Sequence, residues 1–240
     1  MPVSQSVAED RRKTQFLVLG VDTCGPSGSV ALARFEEGAA RILGQTELAG
    51  RSYSATLVAA VGDLLAGHGA KLTDIGAIVV VNGPGSFTGV RVGLSAVKGL
   101  AEPGRTPVLA VSRLAVLAAK AGADSAALDA HRHEIFLRLA APNGSARELL
   151  AGAEELAELN PRPTSIVVCD DPAAELLKIS WPGVLLVSSE APTAADAIHL
   201  CVPRILAGKF DDLELLDGHY LRRSDAEIFG DPATAKVRRP

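Results

Sequence analysis

Two aspartates stand where a carboxylate could do chemistry. Asp22 closes the aliphatic run FLVLGV, and Asp129 closes the later run SAALDA. At a strand end a carboxylate either holds a divalent cation with its waters or folds back on its own backbone as an Asx turn. Between them lies NGPGSFTGVRVG, residues 82–93. Gly83 and Gly85 fit a turn whose N–H groups could approach a phosphate at a helix N-terminus, with Ser86 or Thr88 free to cap that helix. Gly89 and Gly93 continue into the helix itself, at a cost of about 1 kcal/mol each relative to alanine. A close visitor is therefore expected there, either a phosphate or another backbone. The segment is neither G-x-x-x-x-G-K-[ST] nor a dinucleotide fingerprint, since Lys98 lies three turns down the helix and no acidic residue follows at the ribose spacing.

Other reactive residues form weaker patterns. His131 and His133, two apart on a strand, would share a face beside Glu134, but no third ligand is evident, so surface histidines are expected and no metal is assigned. Cys24, Cys169 and Cys201 are far apart and make no C-x-x-C pair. H-E-x-x-H and G-x-S-x-G are both absent, which counts against a peptidase. No catalytic residue is assigned.

The elements that must position these residues run in a repeated order. FLVLGV, SGSVALARF and a strand near Arg41–Leu48 make a meander, followed by helix SATLVAAVGDLLAGHG, strand IGAIVVV, the glycine-bearing helix, strand TPVLAVS and helix SRLAVLAAKAG. The second half repeats βββαβαβα through SAALDA, EIFLRLA, a strand near Ser145–Leu150, AGAEELAEL, TSIVVCD, PAAELLKI, GVLLVSS and TAADAIHLCVPRILAG. Two such halves predict an α/β protein of the tandem actin-like (ASKHA, sugar-kinase-like) ATPase fold, with a cleft between two βββαβαβα subdomains. The division expected is a disordered leader over 1–15, an N-terminal subdomain over 16–122, and a C-terminal subdomain with a tail over 123–240. In an active ATPase of this kind Asp22 and Asp129 would be the cofactor-binding carboxylates, and an independent ATPase or kinase is one reading of the chain.

Composition narrows the partners. The chain has 240 residues, 48% hydrophobic and 22% charged, with net charge −4, which suits a globular protein with a sizeable core. No basic run exceeds three residues, so any service to RNA is expected through a partner that holds the RNA. No apolar run nears the ~20 residues of a membrane span, and the scattered thiols fit a reducing cytoplasm.

On a helix, Val90, Leu94, Val97 and Ala101 form an apolar stripe beside a small-residue stripe of Gly89, Gly93, Ala96 and Leu100. The preceding helix has Leu57, Val61, Leu64 and Leu65 on one side, with Val58 and Ala59 on the next. Helices apolar nearly all round suggest a partner-binding surface made by Leu57, Val58, Val61, Leu65, Phe87, Gly89, Val90, Gly93, Ala96 and Val97, with tight packing inside the chain as the alternative.

The stretch GPGSFTGVRVGLSAVKGLA resembles the signature of the TsaB (YeaZ) family, bacterial partners of TsaD in making threonylcarbamoyladenosine in tRNA. The resemblance extends to VLGVDTCGPSGSVAL, to AVSRLAVLA, to LDAHRHEIF, similar to the family's D-A-R-x-x-E-V-Y, and faintly to HYLRRSDAE. It covers roughly residues 16–136. It implies the tandem actin-like fold and a non-catalytic scaffold that pairs through the helix after GPGSFTG and the one before it, either with itself as a homodimer or with TsaD as a heterodimer. It also implies work alongside the ATPase TsaE, tRNA met only through the complex, no membrane and no required cofactor, with ATP or ADP a candidate at the cleft or the subunit junction. TsaD holds its metal through histidines on the helix matching SYSATLVAAVGDLL, and this chain has none there. Two departures stand out: His131 where the family usually has Arg, and Tyr53 where it often has His, the latter expected to alter an interface detail.

Overall fold

The computed structural model describes residues 15–50, 52–141 and 144–222. The leader expected over 1–15 lies outside these apart from Gln15, as does the expected tail beyond Arg222.

Three antiparallel strands open the chain: β1 (Phe16–Asp22), β2 (Ser27–Glu36) and β3 (Ala39–Ala49). Helix α1 (Tyr53–Gly67) then leads through a short 3-10 turn to β4 (Ile75–Val81), which lies parallel to β1. Helix α2 (Phe87–Ala101), β5 (Val108–Val111) and α3 (Arg113–Lys120) complete the first half. The second half comprises β6 (Ala126–Asp129), β7 (Ile135–Ala140), β8 (Ala146–Ala151), α4 (Ala153–Glu158), β9 (Ser165–Val168), α5 (Asp171–Ser180), β10 (Leu185–Ser188) and α6 (Ala194–Leu206). Its sheet order β8-β7-β6-β9-β10 repeats the first sheet's β3-β2-β1-β4-β5, with antiparallel and parallel pairs in the same places. The duplication read from element order is thus a duplication of topology, and the fold is the two-lobed actin-like one.

Strands β1 and β4 are buried on both faces because helices cover both sides of their sheet, which is why they read as continuous aliphatic runs rather than alternating ones. Helices α1 and α2 cover one face. The other is covered by α6, whose Ala194, Ala197, Ile198, Cys201 and Ile205 join the first core. Helix α3 crosses in the opposite sense, packing Leu114, Leu117 and Ala118 against Ala126, Leu128 and Val167 of the second sheet. The boundary at 122/123 separates the repeated element orders but not the cores, since the last helix of each half packs on the other half's sheet. A duplicated βββαβαβα unit leaves one sheet face bare per half, and exchanging the final helices covers both. Lys120 of α3 bonds the carboxylate of Asp196 in α6 at 3.1 Å, tying the exchanged helices together.

Candidate functional site

Between the lobes lies a cleft of about 840 Å³, bounded by the β1–β2 turn, the start of α2, the β6–β7 turn and the segment after β9. Its floor explains the glycines. Thr23, fully buried in the β1–β2 turn, donates its hydroxyl to the Gly89 carbonyl at 2.7 Å. A Cβ on Gly89 would overlap the Thr23 carbonyl oxygen, and one on Gly93 would overlap the Thr23 hydroxyl. The close visitor is Thr23 of this same chain, by its backbone at Gly89 and its hydroxyl at Gly93, so these two glycines of α2 face inward. Ser86 caps the helix by accepting from the Gly89 N–H at 3.2 Å, and its own N–H bonds the Cys24 carbonyl at 2.8 Å, which fastens the glycine turn to the β1–β2 turn.

Leu57, Val61, Leu65, Val90 and Val97 are likewise buried within the chain. The expectation that they line a partner surface is corrected on that account: they fill the space between α1, α2 and the first sheet. Of the residues expected to bind a partner, Val58, Phe87 and the half-buried Ala96 remain open to solvent. Tyr53 is also buried and donates to the Gly25 carbonyl at 2.8 Å, burial pushing its phenol up to about 12. It serves the cleft turn rather than an interface.

Asp22 is 1% exposed and accepts the Cys24 N–H at 2.8 Å, an Asx turn. Burial pushes its carboxyl above the usual range, and the nearby Arg113 guanidinium pulls it partly back. The pair stands 3.6 Å apart, Arg113 Nε to Asp22 Oδ2. Arg113 is the functional candidate that sequence reading missed. A signal existed: it is the first residue of α3, directly after the cap Ser112, and a cation in a helix's first turn opposes the macrodipole unless something else holds it there.

Asp129 lines the cleft, whereas Asp22 sits beneath its wall. Both oxygens of Asp129 are engaged locally, accepting from the His131 N–H at 2.8 Å and pairing with His131 Nδ1 at 2.7 Å. His131, Arg132 and His133 all take left-handed φ, between 57° and 62°, so the histidines sit in a tight hairpin turn rather than along a strand. Among the described residues no group of three His, Cys, Asp or Glu is placed to hold a metal ion.

The start of the C-terminal segment packs back on the glycine turn. The His219 N–H bonds the Asn82 carbonyl at 2.7 Å, Tyr220 meets the Phe87 ring at 5.0 Å, and Arg91 lies 3.8 Å above Phe87. Arg222 pairs with Glu134 and donates to the Ala130 carbonyl at 2.8 Å.

These features define a class: a two-lobed actin-like protein whose first-hairpin carboxylate is buried against an arginine instead of standing open to a metal. Comparison with known proteins narrows it. The family model for TsaD, tRNA N6-adenosine threonylcarbamoyltransferase, matches residues 42–152. Over 125 residues the chain is 37% identical to the Escherichia coli tRNA threonylcarbamoyladenosine biosynthesis protein TsaB, a match spanning 50% of this chain and 52% of that protein. The Bacillus subtilis protein of the same name is 33% identical over 51% of this chain and 54% of its own length. The chain thus matches about half the length of these curated relatives. The solved structure of YeaZ from Pseudomonas aeruginosa is 30% identical, with a TM-score of 0.70 over 86% of this chain and 100% of that one. The chain belongs to the TsaB (YeaZ) family. Among the described residues no helix is long and apolar enough to cross a membrane.

Proposed function

We propose that the chain is a non-catalytic subunit of the machinery that builds threonylcarbamoyladenosine in tRNA, docking a TsaD-type transferase. The observation that carries this reading is the Asp22–Arg113 pair. A carboxylate that would serve a metal-nucleotide in an active ATPase of this fold is buried beside a guanidinium instead, which supports a role in assembly over turnover. The names of the curated relatives supply the reaction.

The surface offered to the partner is the outer face of α1 and α2. Ala55, Val58, Ala59 and Gly62 are exposed on α1, and Ser95 and Gly99 are exposed on α2, with Val58 at 58%. Small side chains here let a partner helix approach closely, as the inward glycines let Thr23 approach on the opposite side. A second copy of the chain would use the same face, so homodimer and heterodimer exclude one another. TsaE and tRNA are met through the assembled complex, in the cytoplasm where tRNA is modified.

The test is co-purification with TsaD from the same source, followed by a threonylcarbamoyl-transfer assay with and without this chain. Association, transfer that depends on the chain, and loss of both in Val58→Arg or Gly62→Arg are expected, since Val58 is exposed and nothing lies within 4 Å of where a Gly62 Cβ would stand. Undiminished association in both variants would remove the interface, and transfer that does not depend on the chain would remove the role.

A further inference from the structure

Arg113 is a buried cation whose Nε has no acceptor. Its side chain is 7% exposed, and its Nε is fully enclosed without a hydrogen-bond partner. The 3.6 Å separation of its Nε from Asp22 Oδ2 is an ion pair beyond hydrogen-bond reach. Buried donors in native proteins are almost always satisfied, and arginine's planar fork is shaped for a carboxylate or phosphate. Gly25 keeps the place open: a Cβ there would overlap an Arg113 terminal nitrogen. The same guanidinium lines the interlobe cleft, which is far larger than one anion needs.

We propose that this cleft binds a small organic monocarboxylate, its carboxylate seated on the Arg113 guanidinium and its uncharged body held between Ser54, Thr88 and Val92 on one wall and Leu128 and Phe136 on the other. Charge selects a single negative group. Asp22 already offsets part of the arginine, and Asp129 and Asp170 line the facing wall, so a phosphate dianion or a nucleotide would meet two carboxylates after satisfying one cation. The walls select an organic body, because the hydroxyls of Ser54 and Thr88 and the apolar surfaces of Val92, Leu128 and Phe136 line the cleft beside those carboxylates, and a bare ion uses none of them.

The experiment is titration of the full chain with N-acetylglycinate, followed through the arginine Nε–H resonances and by calorimetry, with inorganic phosphate and Mg-ATP as comparators. The Arg113 Nε–H resonance is expected to move saturably with N-acetylglycinate and less with either comparator. In Arg113→Gln affinity should fall at least about tenfold. If that variant does not fold, Val92→Trp, which adds bulk at a residue lining the cleft and leaves Asp22 and Arg113 unchanged, should cause the same loss. No saturable movement of the Arg113 resonance, tighter binding of phosphate or Mg-ATP, or undiminished affinity in the folded variant would each overturn the proposal.

Discussion

Thr23 sorts the glycines of this chain into two kinds. Gly89 and Gly93 lie under it, whereas Gly62 and Gly99 have nothing within 4 Å of where a Cβ would stand. Gly89→Ala must push a buried backbone carbonyl aside and should cost about 3 kcal/mol, with Gly93→Ala costing less because a hydroxyl yields more readily than a backbone. Gly62→Ala and Gly99→Ala should instead stabilise the isolated chain by about 0.5–1 kcal/mol each, through helix propensity alone. Urea denaturation of the four variants separates the classes, and a Gly89→Ala midpoint equal to wild type would refute the packing against Thr23. That a close visitor was needed could be read from the sequence, because two glycines in a helix are unfavourable without one. Its identity could not, since Thr23 is 66 positions away in the chain. Asp22 was legible as a strand-end carboxylate for the same local reason. Arg113 was not, because an arginine in an apolar helix acquires meaning only once the fold buries it beside Asp22.

Among elements, β8 acts through one side chain. Glu148 accepts from Arg138 at 2.7 Å, from the Ser112 hydroxyl at 2.6 Å and from His219 at 2.8 Å, so it joins the second sheet to the cap of α3 and to the C-terminal segment. Burial raises its carboxyl, but the hydrogen bonds from His219, Ser112 and Arg138 outweigh this and hold it below the usual glutamate range. A folded pKa below the unfolded one means the folded state binds fewer protons. The stabilisation is present above the ordinary glutamate pKa and is lost as pH falls through that range toward the folded value. Glu148→Gln should therefore lower stability at neutral pH and flatten its decline in acid, as thermal unfolding at a series of pH values would register. A wild-type acid slope in the variant would show that the clamp does not hold the segment. The strands and helices themselves were legible because each is long or strongly patterned and is bounded by Gly, Pro, Ser or Asp. The β6–β7 turn was not, since nothing in the letters His131-Arg132-His133 signals three consecutive left-handed residues.

For the whole molecule, the exchanged helices make the lobes one cooperative unit. Helix α6 follows the last strand of the second sheet yet lies in the first core, and α3 does the reverse. Neither core can be completed while the other half is unfolded. Trp181, the only tryptophan in the chain, sits in the second core with its indole N–H on the Leu156 carbonyl at 2.7 Å, so its fluorescence reports that lobe alone. Far-UV circular dichroism reports both. The two transitions should coincide in wild type. Ile198→Ala empties a fully buried site of α6 against the first sheet and should cost about 3 kcal/mol. If the exchange couples the lobes, this change in the first core moves the Trp181 transition by the same amount as the circular dichroism. A fluorescence midpoint that stays in place would mean that the lobes unfold separately. Coupling of this kind also bears on the cleft: its two walls belong to lobes that share helices, so Arg113, carried into the second core by α3, is held against Asp22 of the first by the same packing that keeps the halves together.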